Sequence, residues 1–353
     1  MAIHEEVLNF RQQRYANHTP LCTMLPLDTP LSIMIEPTNI CNFRCIFCPT
    51  GDEGLIRSVS RPKGTMPFDL FCNIVDDISL FDNKVRSLLL YKDGEPLLNA
   101  NLDKMIEYAK NKQIADKIHT TTNASLLTAE RAILLIKAGL DDIRISVEHL
   151  TSDGYKELTR TYGDYHTIRK NIEFLYNKKI KMNSSLQIHV KMLDVSLSEE
   201  DKSRFVDEFS DISDSINIDT LCGWSNTQKK DFTLGNSISY SLNSIVPLRK
   251  DRIVCPEPFK SLAINFNGTV SLCQVDWAHA VILGNVRKSS VREIWKGQNI
   301  HNYRMKMLYG QRDSIEPCED CHFIQGEPEV SELDHVANEL IEVYQNKQPR
   351  ASA

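Results

Sequence analysis

From residue 31 to residue 221 the sequence alternates short apolar segments, typical of buried strands, with amphipathic segments of helical periodicity. Six strand-like segments occur in this range, with the sequences LSIMIEP, VRSLLLY, KIHTTTN, DDIRISVEHL, SLQIHVKML and SINIDTL. Strands that alternate with helices pair in parallel through right-handed crossovers. Because six units are fewer than the eight of a closed (β/α) barrel, the sequence predicts an α/β fold with an open, partial (β/α)6 barrel.

The intervening helices have recognisable start and end signals. MPFDLFCNIVDDISLF has apolar residues at helical spacing and Pro67 near its first turn. TAERAILLIKAG ends at Gly139, a residue type that favours the left-handed conformation after the last helical turn. Ligands of such folds bind at the carboxyl ends of the strands. We therefore expect the functional residues in the loops that follow the strands.

Beyond residue 225 the pattern changes. A polar stretch rich in Gly, Ser and Asn predicts a linker, and SLAINFNGTVSLC predicts a hairpin that turns at Asn267-Gly268. Short helices and a terminal helix follow. The predicted parts are an N-terminal extension (1–30), the partial barrel (31–225), a linker (226–250), a small α+β domain (251–325), and a C-terminal helix and tail (326–353).

The composition, 41% hydrophobic and 25% charged, is that of a soluble globular protein. A net charge of −6 provides no basic field for a nucleic-acid backbone, and no apolar run reaches the roughly 20 residues that span a bilayer. The first twenty residues lack the apolar core of a signal peptide. We therefore expect a cytoplasmic protein that binds neither nucleic acid nor membrane. In that reducing compartment, clustered cysteines are more often ligands or redox groups than disulfides.

The first cysteine set lies in the loop directly after the first predicted strand. Cys41, Cys45 and Cys48 have the spacing C-x₃-C-x₂-C. Three thiolates in so short a loop would be unusual for a catalytic zinc ion, and a structural zinc ion takes four ligands. A [4Fe–4S] cluster held by three thiolates has one iron without a protein ligand. That iron can bind a substrate or a cofactor directly.

The second cysteine set lies in the C-terminal part and comprises Cys255, Cys273, Cys318 and Cys321. Four thiolates fully ligate either one [4Fe–4S] cluster or one structural zinc ion, and the ligand count alone leaves both open. A fully ligated cluster cannot hold substrate without losing a ligand, so its role would be electron transfer. We expect Cys72 to be a small core residue and Cys22 to be structural or at the surface. Cys222 ends the sixth predicted strand and is either an ordinary thiol or a hydrogen-atom donor to a substrate radical.

The segment CNFRCIFC resembles the signature of the radical S-adenosylmethionine (SAM) superfamily, in which an aromatic residue, here Phe47, precedes the last cysteine. The resemblance covers roughly residues 31–325. It implies that the amino and carboxylate groups of SAM chelate the open iron. It further implies that one electron then cleaves SAM to methionine and a 5′-deoxyadenosyl radical, and that a flavodoxin- or ferredoxin-type protein donates that electron.

Other segments resemble the SAM-binding motifs of this superfamily. YKDGEPLLN resembles its glycine-rich segment, with Asp93 in place of the usual first glycine, and TTNASLL resembles its TNG strand end, with Ala124 in place of glycine. An arginine at Arg160 would pair with the SAM carboxylate, because a guanidinium matches a carboxylate bidentately. Met192 would pack against adenine. The residues that the resemblance implies for SAM binding are Phe47, Gly94, Glu95, Pro96, Asn123, Ser146, Arg160 and Met192.

The second cysteine set resembles a SPASM or twitch auxiliary-cluster domain. Full SPASM domains have further cysteines after the C-x₂-C pair, whereas none follows Cys321. The resemblance therefore implies one auxiliary [4Fe–4S] cluster, a layout most similar to that of the butirosin-pathway aminocyclitol dehydrogenases.

The resemblance leaves the reaction and the substrate open. Peptide-modifying relatives often have a leader-binding domain ahead of the barrel, whereas about thirty residues precede the first strand here. We therefore expect a small polar, carbohydrate-like substrate, namely a sugar, a nucleotide sugar or an aminocyclitol. Glu36, Glu148 and Trp224 lie near predicted strand ends and are candidate substrate contacts.

Three functions follow. The first is dehydrogenation, in which the auxiliary cluster accepts the electron of the substrate radical. The second is epimerisation of a sugar or peptide, with Cys222 as the hydrogen-atom donor. The third belongs to another class, a non-catalytic zinc-binding interaction protein.

Overall fold

The computed structural model describes residues 19–225, 230–241, 246–319 and 321–347. The predictions for residues 1–18, 226–229, 242–245 and 348–353, which include most of the N-terminal extension, parts of the linker and the end of the tail, lie outside the described residues. The domain boundaries given above remain predictions.

The described residues form one sheet of nine strands. Its first six strands are β1 (Ser32–Ile35), β2 (Val85–Leu89), β3 (Ala115–Thr122), β4 (Asp142–Val147), β5 (Gln187–Asp194) and β6 (Ser215–Thr220). Each of the strands β1 to β5 pairs in parallel with the next one along the chain. Because β6 lies at one edge of the sheet, the barrel is open there. The prediction of six parallel strands in an α/β fold is confirmed.

Helices connect these strands and bury their apolar sides against the sheet. They are α1 (Glu53–Ser58), α2 (Phe68–Ile78), α3 (Leu102–Lys112), α4 (Ala129–Lys137), α5 (Ser152–Thr159), α6 (Tyr165–Lys181) and α7 (Glu199–Phe209). Helix α4 begins after Thr128, whose hydroxyl accepts a hydrogen bond from the Arg131 amide, and Gly139 follows its end at a φ of +82°. The predicted end of this helix is therefore confirmed.

Side-chain alternation along β4 separates the core from the barrel interior. Ile143, Ile145 and Val147 belong to the hydrophobic core, whereas Arg144 and Ser146 project from the other face. The interior therefore keeps polar side chains. This arrangement leaves room for a ligand at the strand ends.

The C-terminal part extends the same sheet. Its strands are β7 (Ser261–Ile264), β8 (Thr269–Ser271) and β9 (Ile282–Asn285), and its helices are α8 (Glu257–Lys260), α9 (Val291–Lys296), α10 (Gln298–Leu308), α11 (His322–Gln325) and α12 (Ala337–Asn346). Strands β7 and β8 form the predicted antiparallel hairpin, with Gly268 at a φ of +90° in its turn. Strand β7 also pairs in parallel with β1, a contact that the sequence did not predict.

None of the helices in the described ranges is long and apolar enough to cross a bilayer.

Candidate functional site

The loop that carries the first three cysteines begins directly after β1 and is fixed by its own backbone. The Cys48 amide donates to the Cys45 carbonyl at 3.1 Å, and the Phe43 amide donates to Cys41 Sγ at 3.4 Å. Gly51 closes the loop, where a Cβ atom would lie 2.3 Å from the Cys45 carbonyl oxygen. Only glycine fits this close approach without a shift.

The same loop is tied to the end of α5. The Arg44 amide donates to the Thr159 carbonyl at 2.8 Å, and the Ile46 amide donates to the Leu158 carbonyl at 2.9 Å. These two bonds pin the segment between the cysteines, so the barrel holds the loop in place before any metal binds.

Cys41, Cys45 and Cys48 all line one cavity of about 470 Å³ at the carboxyl ends of the strands. Burial raises the pKa of Cys41 to about 12 and that of Cys48 to about 11. Free thiols in this setting keep their protons, whereas soft metal ions displace protons from sulfur. The donor set consists of sulfur atoms beside an open space, which fits an iron–sulfur cluster that must also accept a further ligand.

The predicted glycine-rich segment lies against this loop. A Cβ atom at Gly94 would lie 2.3 Å from the Thr38 carbonyl oxygen and 2.6 Å from that of Ile40, so the contact requires glycine. The Glu95 amide donates to the Ile40 carbonyl at 2.9 Å. Gly94 and Glu95 line the cavity, whereas Pro96 starts the short helical turn behind them and is outside the lining.

The Glu95 carboxylate is buried and accepts several hydrogen bonds. Thr122 Oγ1 donates to Oε1 at 2.6 Å and the Asn123 amide donates to Oε2 at 2.8 Å. Burial nevertheless raises the pKa of Glu95 above its usual value. Asn123 Nδ2 donates to Asn42 Oδ1 at 3.0 Å and so connects the end of β3 to the cysteine loop.

Ala124 replaces the glycine of the superfamily's TNG motif and adopts that residue's conformation. Its φ is +56°, in the left-handed region that glycine enters more readily than alanine. The preceding Asn123 and, on the next strand, Ser146 both line the cavity. The structure therefore brings together Phe47, Gly94, Glu95, Asn123 and Ser146 as neighbours of the three cysteines.

Two residues of the predicted SAM set lie elsewhere. Arg160 follows the end of α5, where it is exposed and outside the cavity lining. Met192 is 1% exposed and packs in the hydrophobic core. Because side chains alternate along β5, its neighbours Lys191 and Leu193 face the cavity instead. The adenine contact expected for Met192 therefore has no support in this arrangement.

Of the three candidate substrate contacts, two line the cavity and one does not. Glu148 and Trp224 line the cavity, and Trp224 Nε1 donates to the Phe47 carbonyl at 3.1 Å. Burial raises the pKa of Glu148 to about 7, against an opposing effect of the charge on Lys191. Glu36 is completely buried outside the cavity lining, where its carboxylate accepts a hydrogen bond from the Phe266 amide.

Glu36 belongs to a buried group of charges that the sequence did not predict. Glu36, Asp93 and His279 place possible metal-ligand atoms within 4.8 Å of one another. However, Asp93 Oδ2 already lies 2.5 Å from Lys92 Nζ and 3.3 Å from Arg61 Nη1. Because two cations occupy this position, we interpret the group as an ion-pair network and not as a metal centre.

This network joins the barrel to the C-terminal part. Arg61 Nη1 donates to the Trp277 carbonyl at 2.8 Å, and Lys92 Nζ donates to the Asp276 carbonyl at 3.2 Å. Asp93, which stands where the resemblance expects a glycine, is therefore the centre of a contact between the barrel and the C-terminal part. Its charge and burial explain why the position tolerates a side chain.

The second cysteine set lines a separate, smaller cavity in the C-terminal part. All four thiols, Cys255, Cys273, Cys318 and Cys321, line it together with apolar side chains. Burial raises the pKa of each thiol, that of Cys318 to about 12. Four sulfur donors in an enclosed apolar setting fit a fully ligated iron–sulfur cluster, and they are also a complete donor set for zinc.

The two cavities adjoin. Val275 and Phe323 line both of them. Cys222 lines the larger cavity, and burial, with a smaller contribution from the charge of Cys321, raises its pKa to about 12. The next residue, Gly223, contacts α11, where a Cβ atom would lie 2.3 Å from His322 Nδ1. The segment after β6 thus passes between the two cysteine sets.

Sequence reasoning missed several residues of the larger cavity, among them Arg144, Lys191, Tyr91 and Gln274. For Arg144 a signal existed, because it precedes Ser146 by two residues and therefore shares its face of β4. For Gln274, which reaches the cavity from the C-terminal part, the sequence contained no such signal.

Two family models match the chain. The radical SAM superfamily model matches residues 35–203, and the SPASM model, an iron–sulfur cluster-binding domain, matches residues 255–322. Among curated proteins, the chain is similar to GTP 3′,8-cyclases. It is 32% identical to that of Clostridium botulinum (strain Hall) over 43% of this chain and 46% of the relative. It is 34% identical to that of Clostridium acetobutylicum over 46% of this chain and 50% of the relative. The chain thus spans half or less of the length of these curated relatives.

Solved structures share the fold at low identity. BtrN in complex with AdoMet and 2-DOIA is 18% identical with a TM-score of 0.52, and the match covers 82% of this chain and 92% of BtrN. SuiB of Streptococcus suis bound to S-adenosylmethionine is 17% identical with a TM-score of 0.60, over 87% of this chain and 74% of SuiB. Native anSMEcpe with bound AdoMet is 16% identical with a TM-score of 0.58, over 90% of this chain and 100% of that protein. These likenesses confirm the predicted fold.

Proposed function

Because the chain belongs to the radical SAM superfamily and has an iron–sulfur cluster-binding domain after the radical SAM domain, we propose that it dehydrogenates a small polar, carbohydrate-like substrate. Cys41, Cys45 and Cys48 would hold the SAM-binding [4Fe–4S] cluster, and Cys255, Cys273, Cys318 and Cys321 the auxiliary cluster. Bound at these sites, SAM and the clusters would supply a 5′-deoxyadenosyl radical that abstracts hydrogen and an acceptor for one electron.

The protein's own side chains would bind SAM and the substrate. Glu95 has carboxylate oxygens for the SAM amino group, and Asn123 and Ser146 offer amide and hydroxyl groups at neighbouring strand ends. Glu148 would accept the proton that a hydroxyl group releases when its carbon is oxidised. A carboxylate with a pKa of about 7 is suited to that task, because it is partly ionised at neutral pH and still basic.

The observation that best supports dehydrogenation is the contact between the two cavities. Val275 and Phe323 are walls of both, so a substrate in the larger cavity lies beside the four-cysteine site. An electron acceptor is useful only at short range from the group that it oxidises. The geometry therefore favours removal of a second electron from the substrate over a reaction that leaves its oxidation level unchanged.

The test is product analysis under anaerobic conditions. Reconstituted protein, SAM and dithionite are combined with candidate sugars and nucleotide sugars that carry deuterium on the ring carbons. We expect deuterium in 5′-deoxyadenosine and a product that is lighter than the labelled substrate by one deuterium and one hydrogen. Colourless protein that contains zinc in place of about seven to eight irons per chain would instead indicate the zinc-binding alternative.

Epimerisation is the second candidate, and the position of Cys222 favours it. Its thiol lines the larger cavity and burial keeps it protonated, as a hydrogen-atom donor must be. Under this alternative an unlabelled substrate gives a product of unchanged mass in H₂O and a product that contains one deuterium in D₂O. No product forms in the Cys222→Ala variant, while SAM cleavage continues. Cys72→Ala is the matched control, because Cys72 lies on α2 outside both cavities. Under dehydrogenation, both variants still form the oxidised product.

A further inference from the structure

Arg144 projects into the interior of the barrel. It is exposed to the larger cavity, while its neighbours on β4, Ile143 and Ile145, are buried in the core behind the sheet. In the sheet register Arg144 lies between Thr121 on β3 and His189 on β5. Thr121 also lines the cavity and offers a hydroxyl group beside the guanidinium.

Arg144 differs in its charge balance from the other cations of this cavity. Lys92 Nζ lies 2.5 Å from Asp93 Oδ2, and Lys191 Nζ lies 3.0 Å from Asp219 Oδ2. Within the part of the chain that the structure describes, the side chain of Arg144 has neither an ion pair nor a hydrogen bond. The cavity therefore contains one cationic group whose charge no protein carboxylate balances, as far as its described lining shows.

The neighbouring histidine does not compete for the same ligand. His189 Nε2 lies 3.1 Å from Asp142 Oδ1, and its Nδ1 lies 2.6 Å from Ser215 Oγ. Both ring nitrogens are thus engaged within the sheet. Arg144 remains the cationic donor of this row that is available to a bound molecule.

The position of Arg144 also separates it from the residues that match the SAM-binding motifs. Glu95 and Asn123 are hydrogen-bonded to each other and to the cysteine loop at the strand ends. Arg144 precedes Ser146 by two residues, which places its backbone about 7 Å nearer the start of β4. It lies deeper in the barrel, where a second molecule beside SAM would lie.

We propose that Arg144 binds an oxyanion of the substrate, a phosphate or carboxylate group. This inference rests on the function proposed above and narrows its substrate to sugars that bear such a group, nucleotide sugars included. A planar guanidinium makes two parallel hydrogen bonds to an oxyanion, and each is strengthened by the opposite charges. A cationic aminocyclitol would instead meet an uncompensated positive charge.

The experiment measures binding of matched probes without turnover. Holoenzyme with SAM bound and no reductant is titrated with glucose, glucuronate and glucose 1-phosphate in a calorimeter. The three probes share a ring and differ in their oxyanion. We expect an anionic probe to bind about tenfold or more tightly than glucose, as one or two charge-assisted hydrogen bonds allow. Whichever of the two anionic probes binds more tightly identifies the oxyanion of the substrate as a carboxylate or a phosphate.

Variants assign this preference to Arg144. In Arg144→Gln the preference for the anionic probe disappears while the affinity for SAM is kept, and in Arg144→Lys part of the preference returns. Arg57→Gln, on the exposed side of α1 outside the cavity, keeps the preference of the parent protein.

Three results would overturn the proposal. The first is equal or undetectable binding of all three probes to the unmodified enzyme, and the second is a preference for the anionic probe that persists in Arg144→Gln. The third is an affinity for SAM that falls about tenfold in that variant, because this loss would assign the arginine to SAM binding. Failure of the proposed dehydrogenation is a separate result, since the dithionite assay would then give no oxidised product while the binding data stand.

Discussion

The two cysteine sites differ in what surrounds their thiols. Cys41, Cys45 and Cys48 line a cavity of about 470 Å³ whose walls carry both charged and aromatic side chains. The four cysteines of the C-terminal part line a smaller cavity with mainly apolar walls, such as Leu272 and Ile324. A site that must admit a ligand leaves space beside its thiols, whereas a site that only exchanges electrons encloses them. The predictions below test this division.

The largest effect is expected at the open site. In Cys45→Ala, SAM-dependent formation of 5′-deoxyadenosine falls to background, because two thiolates do not hold the cluster to which SAM must bind. The iron content of anaerobic protein drops by about four per chain, with the other cluster retained. Cys72→Ala is the control and keeps both properties. Undiminished SAM cleavage in Cys45→Ala would show that the open site has been assigned to the wrong thiols.

The opposite result is expected at the enclosed four-cysteine site, where SAM cleavage is kept and product formation is lost. Cys318→Ala also loses about four irons per chain, but 5′-deoxyadenosine still forms because the open site is intact. The oxidised product disappears, since the acceptor for the second electron is gone. The measurement is the ratio of product to 5′-deoxyadenosine, with the parent protein as reference. If this ratio is unchanged, the enclosed site has no part in the reaction and the contrast between the sites is only structural.

The buried charges between the two regions should matter more for stability than for chemistry. Burial alone would raise the pKa of Asp93, but the charge of Lys92, the nearby His279 and the charge of Arg61 hold that pKa below its usual range. Asp93→Asn leaves Lys92 and Arg61 buried without their nearest counter-charge, which costs about 3–5 kcal/mol in the free energy of unfolding. Urea unfolding of the anaerobic holoprotein at pH 7 measures the loss.

The matched control is another pair that joins the same two regions. Asp82 Oδ2 lies 3.4 Å from Arg292 Nη2 at the surface, and Asp82→Asn is expected to cost only about 0–1 kcal/mol. Because the folded-state pKa of Asp93 is depressed, its contribution is present above the ordinary aspartate pKa and is lost as the pH falls below it. The difference between Asp93→Asn and the parent protein should therefore shrink in acid, and a difference that is constant with pH contradicts the network.

The smallest effect concerns Glu148 in the open cavity. Its pKa, raised by burial to about 7, lies above that of a glutamate in an unfolded chain, so the folded state holds the proton more tightly. The stabilisation from this group is complete below about pH 4.3 and is lost as the pH rises to about 7, by up to about 3 kcal/mol. Glu148→Gln removes this dependence. Unfolding free energies at pH 5 and pH 8 measure it.

The same variant also reports on catalysis. If Glu148 accepts a substrate proton, product formation by the parent enzyme rises with pH through about 7, since only the ionised carboxylate is a base. Glu148→Gln then has low turnover at every pH with SAM cleavage retained. Glu107→Gln, on the exposed side of α3 outside the cavity, serves as control and follows the parent profile. A parent profile that is flat from pH 6 to 8 would exclude Glu148 as the base.

The barrel and the cysteine loop were predictable because their signals are local. Apolar alternation defines β1 to β6, and Cys41, Cys45 and Cys48 lie within a single loop segment of eight residues. Gly268 was predictable for the same reason, because its positive φ is that of a tight turn between two neighbouring strands. Each of these features depends on neighbours within a few residues.

The roles of other residues could not be assigned from the sequence. Such a role depends on the direction in which a side chain points, and not only on the position of the residue along the chain. Met192 was placed on the correct strand, but side-chain alternation turns it into the core and turns Lys191 into the cavity. Glu36 was placed correctly at a strand end, yet it contacts the Phe266 amide and not the cavity. A strand end locates a residue to within a few ångströms, whereas its role depends on which face it occupies.

The sequence by itself therefore determined the number and order of the parallel strands and the superfamily, and it predicted two sets of sulfur ligands, because these follow from patterns along the chain. Only the tertiary structure decided that β7 continues the barrel sheet beside β1, that the two cysteine sites share the walls Val275 and Phe323, and that Arg144 faces the cavity with no carboxylate partner among the described residues. These contacts join residues that are far apart in the chain. They form because packing brings their faces together, and no local pattern encodes which faces will meet.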